Sequence, residues 1–152
     1  MQAACLTDQG LVRTENQDAC AADVKRGIFV VADGVGGANA GAVAAEAVVK
    51  VLPGLVAERV EALSEATEVG IEGALKDAIA DLSNRVKERT AANPELRGMS
   101  STVVMALVRQ RDVYIAHAGD SRAYLFRPGR FRRRTTAGVS PERGDTPGRA
   151  LR

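Results

Sequence analysis

Short apolar runs in the first part of the chain predict β-strands. Residues 3–7 and 19–24 form two such runs, and the run richest in β-branched residues covers residues 28–32. The polar residues 25–27, which end in glycine, stand between the last two runs. We therefore expect residues 19–32 to form a β-hairpin.

The middle of the chain changes to a helical period. After Asn39, a plausible N-cap, apolar residues recur every three or four positions up to Pro53-Gly54, which is expected to end the first helix. A second helical pattern begins near Thr67 and stops at Asn93-Pro94. Both apolar faces are expected to pack in the core.

Three further apolar runs follow at short intervals, and they cover residues 101–108, 113–118 and 123–126. The turns between them are too short for crossover helices, which predicts antiparallel pairing. Strands near both ends with two helices between them indicate an α+β fold rather than an alternating α/β fold. The periodicity ends after Arg134, so residues 135–152 are expected to be a basic, disordered tail.

The composition is that of a single domain with an aliphatic core. The chain has 152 residues, of which 45% are hydrophobic and only 3% aromatic. No apolar run is long enough to predict a membrane span, and no signal peptide is visible, so we expect a cytoplasmic protein with no membrane partner. The two cysteines, Cys5 and Cys20, are then expected to be reduced.

The charge is uneven along the chain. The net charge is +2, but residues 127–152 contain eight arginines and two acidic residues and carry +6, which leaves −4 for the rest. Basic tails can bind nucleic acid. This tail has no interleaved aromatic residues beyond Phe126 and Phe131 and no recognition motif, so no nucleic-acid partner is expected.

A carboxylate stands at the end of the most apolar predicted strand. Asp33 follows the run of residues 28–32, and Gly34 follows Asp33. A carboxylate beside a sterically open glycine carbonyl suits a hard cation such as Mg²⁺ or Mn²⁺. An Asp-Gly pair after a strand is also commonly a simple turn, so this alternative stays open.

Two more aspartates, Asp18 and Asp120, lie at turns beside predicted strands. Together with Asp33 they are candidates for binding divalent metal at one end of a sheet. Arg13 precedes Asp18 by five residues, and its guanidinium group matches the geometry of a phosphate. Metal ions next to an arginine suggest hydrolysis of a phosphate ester.

Four other motifs are weaker. Cys20 and Arg26 have the spacing of cysteine-dependent phosphatases, but the loop between them has no glycine and contains a carboxylate. Asn39 stands where a dinucleotide-binding motif needs its third glycine, and Thr102 stands where a serine-hydrolase elbow needs a glycine. His117, the single histidine, lies within a strand-like run and is expected to be structural.

Four motifs occur in an order and spacing that resembles a known family. They are Arg13-x-x-Asn16-Gln17-Asp18, residues 30–37 (VVADGVGG), residues 98–102 (GMSST) and residues 118–124 (AGDSRAY). They resemble the metal-dependent serine/threonine protein phosphatases of the protein phosphatase 2C type, in the bacterial branch. The resemblance covers about residues 3–134, and residues 1–134 are therefore expected to form the N-terminal part of such a domain.

This resemblance implies an α-β-β-α sandwich of two antiparallel sheets flanked by helices. It implies two Mg²⁺ or Mn²⁺ ions, with Asp33 between them, the Gly34 carbonyl on one of them and Asp18 bound through water. Arg13 would bind the phosphate of a phosphoserine or phosphothreonine, and Asp120 would help to hold a third, weaker metal ion. The implied substrate is a phosphoprotein made by a serine/threonine kinase.

The sequence also departs from the family pattern. Family members carry a later Asp-Gly motif and a final Asp-Asn motif that supply further metal ligands, and neither occurs before Arg152. Ala42 stands where glutamate is common. We therefore expect a phosphatase domain that is incomplete at its C-terminus. A phosphoprotein-binding module without catalysis and an inactive fragment are the two alternatives to an active enzyme.

Overall fold

The computed structural model describes residues 1–37, 40–135 and 140–145. It contains two long helices, α1 (Ala40–Glu61) and α2 (Glu68–Ala92), and a short 3-10 turn at Pro94–Leu96. The strands are β1 (Asp18–Asp23), β2 (Ile28–Val35), β3 (Ser100–Ser101), β4 (Val103–Arg109), β5 (Asp112–Ala118), β6 (Tyr124–Arg127), β7 (Arg130–Arg133) and β8 (Ser140–Asp145).

All strand pairs are antiparallel. The larger sheet has the order β1-β2-β4-β5-β8, and β3 pairs with the end of β2. The smaller sheet is a two-stranded ribbon of β6 and β7. The predicted α+β class, with two helices and antiparallel sheets, is confirmed.

The two helices cover one face of the larger sheet. Ile28, Val30 and Ala32 alternate along β2 on this face and are buried against the helices, while Val31 points the other way and is 52% exposed. Leu52 of α1 and Leu75 of α2 are fully buried in the same core. The same alternation puts Asp33 on the face of the sheet that the helices leave uncovered.

Helix α1 is longer than predicted, since it continues through Pro53 to Glu61. Proline lacks the backbone N–H and costs about 3 kcal/mol inside a helix. Beyond it, Leu55, Val56 and Val60 are buried in the core, and burial of each is worth about 1.5–3 kcal/mol. The continued apolar face therefore outweighs the helix break. Helix α2 agrees with the prediction, with Thr67 as its N-cap and Asn93 as its C-cap.

The expectation of no membrane-length apolar run was too strict. By length and composition α1 could cross a bilayer, with a mean hydropathy of 1.6 over its most apolar window. In the structure 44% of that window is buried within the protein. Nine residues of α1, from Ala40 to Val60, are buried, so its hydropathy is accounted for as that of a core helix.

Two other predictions are wrong. Residues 3–7 form no strand, because no strand among the described residues pairs with them. Residues 140–145 were expected to lack regular structure, but they form β8. This strand pairs with β5, whose backbone groups on that edge would otherwise be unpaired. The division of the chain at residue 134 stays a prediction.

The cysteines are not reduced in this structure. Cys5 and Cys20 form a disulfide, and neither cysteine is free. Cys20 is a half-buried residue of β1, directly opposite Val31 of β2, so it lies on the uncovered face of the sheet. The disulfide therefore holds residues 5–17, which we call the N-terminal strap, against that face.

Candidate metal and phosphate site

The predicted metal ligands meet where β1 begins and β2 ends. Asp18 lies directly opposite Asp33 in the antiparallel register. Cβ atoms of such pairs are about 4.5–5.5 Å apart, so the two carboxylates face each other on the uncovered side of the sheet. The hairpin predicted from the sequence is what creates this pair.

The electrostatics of Asp33 identify its neighbours. Loss of surrounding water raises the pKa of Asp33 above its ordinary value, and the charge of Asp18 and a hydrogen bond with it raise this pKa further. The charge of Asp120 also raises it, whereas the positive charge of Arg13 lowers it. Asp18, Asp120 and Arg13 therefore all shift the pKa of Asp33. The three carboxylates together carry more negative charge than Arg13 offsets.

Four of the five predicted site residues line one small polar cavity. Arg13, Asp18, Asp33 and Gly34 surround about 180 Å³. The strap contributes all five of the other lining residues, from Asp8 to Gln17. Asp120 follows β5 and is not in this lining, although its charge reaches Asp33. The cavity therefore unites the phosphate-binding candidate with the metal-binding candidates.

A hydroxyl clamp that the sequence analysis missed fixes the backbone of Asp33. The Asp33 N–H donates to Thr102 Oγ1 at 3.1 Å, and the Thr102 N–H donates to the Asp33 carbonyl at 2.9 Å. Ser101 Oγ also donates to this carbonyl, at 3.1 Å. Thr102 Oγ1 in turn lies 2.6 Å from Ser121 Oγ, in the loop that carries Asp120. The GMSST and AGDSRAY motifs thus hold the backbone of Asp33 in place.

Gly34 is enclosed by backbone. Its N–H donates to the Gln17 carbonyl at 2.9 Å, which fixes the residue before Asp18. A Cβ atom at position 34 would lie 1.9 Å from the Gly41 carbonyl oxygen at the start of α1. Only glycine therefore allows β2, the strap and α1 to approach so closely at the site.

The strap that carries Arg13 is held by few contacts. Its hydrogen bonds are mainly internal, such as Gln9 Nε2 to the Arg13 carbonyl at 2.7 Å and Asn16 Nδ2 to Thr7 Oγ1 at 2.9 Å. Leu11 and Val12 are almost fully exposed. The Cys5–Cys20 disulfide is therefore a major anchor of this segment.

Reduction of this disulfide with a dithiol is expected to loosen the strap. The half-cystines are 15 residues apart, a loop for which cross-linking is worth at most about 3 kcal/mol. Because the strap packs loosely, it also gains freedom in the native state, so we expect a loss of only about 1 kcal/mol in unfolding free energy. Hydrogen exchange should accelerate in residues 6–17 and not in β4. Unchanged exchange in the strap would show that other contacts hold it.

The donor set fits a hard divalent cation by type. Carboxylates and a backbone carbonyl are the ligands that Mg²⁺ and Mn²⁺ prefer, and Mg²⁺ is commonly bound by only one or two carboxylates. A cation would also remove the repulsion between Asp18 and Asp33. Across residues 1–37 and 40–135, however, no three carboxylate, imidazole or thiolate groups converge into a ready-made metal cluster. The pair of facing carboxylates is thus the core of the candidate site.

The rival candidates do not form a second site. Cys20 is bonded to Cys5 and therefore presents no thiolate, which argues against the cysteine-dependent mechanism. His117 is fully buried in β5, and neither ring nitrogen has a hydrogen-bond partner among the described residues. Asn39 lies outside the described residues.

Comparisons with known proteins agree with the motifs. A family model described as protein phosphatase 2C matches residues 12–140. The serine/threonine phosphatase stp of Listeria innocua is 36% identical over 128 residues, which cover 82% of this chain and 50% of that protein. The chain thus spans about half the length of this relative.

Solved structures give the same result. The crystal structure of the serine/threonine phosphatase PstP/Ppp of Mycobacterium tuberculosis superposes with a TM-score of 0.72 at 29% identity, covering 86% of this chain and 52% of that chain. The catalytic domain of PstP in complex with two manganese ions gives a TM-score of 0.65 at 27% identity, covering 86% and 53%. Because the family model matches residues 12–140, which are most of this chain, the chain belongs to the protein phosphatase 2C family.

Proposed function

We propose that this chain hydrolyses phosphoserine and phosphothreonine in proteins and depends on Mg²⁺ or Mn²⁺ for this activity. The observation that carries the proposal is the convergence of Arg13, Asp18, Asp33 and Gly34 on one cavity. This constellation joins a phosphate-binding group to oxygen ligands for metal. Family relatives that are serine/threonine phosphatases support the same reaction.

In this proposal Arg13 binds two phosphate oxygens with its guanidinium group. Asp33, Asp18 and the Gly34 carbonyl hold two cations, and Asp120 contributes to a third, weaker site. When bound, the cations supply positive charge beside the phosphoryl oxygens and so lower the barrier to hydrolysis.

The negative charge of the site explains why cations are required. A phosphate dianion next to Asp18 and Asp33 is repelled, and the charge of Asp120 also reaches this site, so the single positive charge of Arg13 does not offset the negative charge. Phosphate binding and metal binding are therefore coupled: each becomes more favourable when the other has occurred.

Hydrolysis of p-nitrophenyl phosphate tests this function. We expect turnover with Mn²⁺, none with a chelator, and none in Asp33→Ala. Asp77→Ala is the matched control, since Asp77 is an exposed carboxylate of α2 away from the site. Turnover that persists without metal, or in Asp33→Ala, would contradict the proposal.

One observation favours a second candidate function, which is phosphoprotein binding without catalysis. The described residues provide two facing carboxylates but no convergent group of three. Under this alternative a phosphothreonine peptide binds without being hydrolysed, and Arg13→Ala weakens its binding about 10- to 100-fold, as expected for loss of a charge-assisted contact. Binding without turnover in the presence of Mn²⁺ would favour this candidate.

The wider setting is part of the proposal. The substrate is a protein that a serine/threonine kinase has phosphorylated. This chain and the kinase both act in the cytoplasm. Neither nucleic acid nor a membrane takes part in the reaction. The Cys5–Cys20 disulfide is the feature to reconcile with that location, since disulfides in a reducing compartment are usually transient or redox-sensing.

A further inference from the structure

The β6–β7 ribbon begins at the rim of the candidate site. Ser121 and Arg122 line a cavity of about 550 Å³ together with Asp18 and Asp33. Directly after them, the Arg134 N–H donates to the Ala123 carbonyl at 2.8 Å, which closes the base of the ribbon. Strands of four residues then extend about 13 Å from this base to the turn at Pro128-Gly129.

The ribbon has two chemically different faces. The register pairs Phe126 with Phe131 and Tyr124 with Arg133, so one face carries three exposed aromatic rings. The pairs Leu125–Arg132 and Arg127–Arg130 lie on the opposite face. The second face therefore presents arginine side chains at successive positions, about 7 Å apart along the strands.

The segment that contains the ribbon is strongly basic in sequence. Residues 122–134 contain six arginines and no acidic residue, whereas residues 1–121 carry a net charge of −5. Arg122, Arg130 and Arg132 are exposed, and none of them forms an ion pair within the part of the chain that the structure describes. Such a patch on an acidic body attracts a short acidic ligand.

We propose that the arginine face of the β6–β7 ribbon binds acidic residues that flank the phosphorylated residue of the substrate. This inference rests on the proposed function, because the ribbon lies at the rim of the site that would hold the phosphorylated residue. Arg122 then contacts the residues next to the phosphorylated one, and Arg132 and Arg130 contact residues further along an extended peptide. The preferred substrate class is a phosphoserine or phosphothreonine followed or preceded by glutamates or aspartates.

The structure favours an acidic peptide over single-stranded nucleic acid. Sequence-tolerant nucleic-acid binding combines a long basic path with aromatic faces that are free to stack on bases. Here two of the three ribbon rings, Tyr124 and Phe131, stack on each other, with centroids 4.9 Å apart and planes 5° apart. They also lie on the face opposite Arg130 and Arg132, and the acidic body beyond the ribbon repels a long polyanion.

Fluorescence anisotropy at low salt tests the docking role on the full chain. The probes are labelled phosphothreonine peptides with flanking glutamates, matched peptides with flanking glutamines, and a single-stranded oligothymidylate. The glutamate peptides are expected to bind more tightly than the glutamine peptides. The double variant Arg130→Gln/Arg132→Gln should weaken the glutamate peptides about fivefold and leave the glutamine peptides unchanged. Added salt should reduce the preference for glutamate.

Arg85→Gln/Arg89→Gln is the matched control, because it removes two exposed arginines from α2 with the same change of charge. It should leave the glutamate preference intact. Hydrolysis of p-nitrophenyl phosphate, which has no acidic flank, should be unaffected by the ribbon variant. A glutamate preference without any turnover would support docking while the proposed activity fails.

Two results would overturn the docking role. The first is equal affinity for glutamate and glutamine peptides while turnover is intact. The second is an oligothymidylate that binds more tightly than the glutamate peptides and loses affinity in Arg130→Gln/Arg132→Gln.

Discussion

Asparagine at position 33 is expected to abolish Mn²⁺ binding and at the same time to make the metal-free protein more stable. Asp33 faces Asp18 directly across the β1–β2 pair, and like charges in this position are destabilising by roughly 0.2–1 kcal/mol. Asparagine keeps the size of the side chain and removes the charge. Calorimetric titration with Mn²⁺ and urea unfolding in a chelator measure the two effects. Asp77→Asn should change neither.

The stability difference should also depend on pH, with a definite sign. The pKa of Asp33 in the native state is raised above its ordinary value of 3.8, first by desolvation and then by Asp18. The native protein therefore holds this proton more tightly than the unfolded chain does. Stability falls as the pH rises from 3.8 through the raised pKa, and the loss persists at neutral pH.

Asp33→Asn has no proton to lose at this position. Its advantage over the natural protein in the absence of metal should therefore grow as the pH rises through that range and then stay constant. Urea unfolding of both proteins between pH 4 and 8, with a chelator present, measures this difference. An advantage that shrinks with rising pH would show that Asp33 is stabilised, rather than destabilised, as an anion.

Local signals account for the parts of the fold that were predicted correctly. Helix α2 is bounded by Thr67 and Asn93, which cap it through contacts within a few residues, and its apolar period is continuous. The β1–β2 hairpin likewise depends on one short turn. Helix α1 was predicted too short because a local helix breaker, Pro53, is outweighed by burial against a distant sheet.

The contacts of the candidate site likewise fall into those that a local pattern predicts and those that join distant parts of the chain. The opposition of Asp18 and Asp33 follows from the register of a hairpin, so the sequence pattern already brought them close. The contact between Asp33 and Thr102 joins residues 69 positions apart, and no periodicity reports such a pair. The disulfide was not predicted because the expected cytoplasmic location implied reduced cysteines, and no local sequence pattern shows that the strap brings Cys5 to Cys20.

Gly34→Ala is expected to destabilise the protein by about 3 kcal/mol and to lower its melting temperature by roughly 6–12 °C. The new Cβ atom would lie 1.9 Å from the oxygen and 2.5 Å from the carbon of the Gly41 carbonyl. These are backbone atoms at the start of α1, so no side chain can rotate away. Either α1 or the end of β2 must shift, and Gln17 moves with it because its carbonyl accepts from the Gly34 N–H.

Gly73→Ala provides a control for which the expected change in stability has the opposite sign. Gly73 lies within α2, and a Cβ atom there would meet nothing within 4 Å. Alanine at this position should stabilise the helix by about 1 kcal/mol, since it removes the backbone entropy cost of glycine. Thermal unfolding of the two variants should therefore move in opposite directions, and Mn²⁺ affinity should fall only in Gly34→Ala, because Asp18 follows the displaced Gln17. A Gly34→Ala protein with natural stability would mean that β2 and α1 do not approach each other this closely.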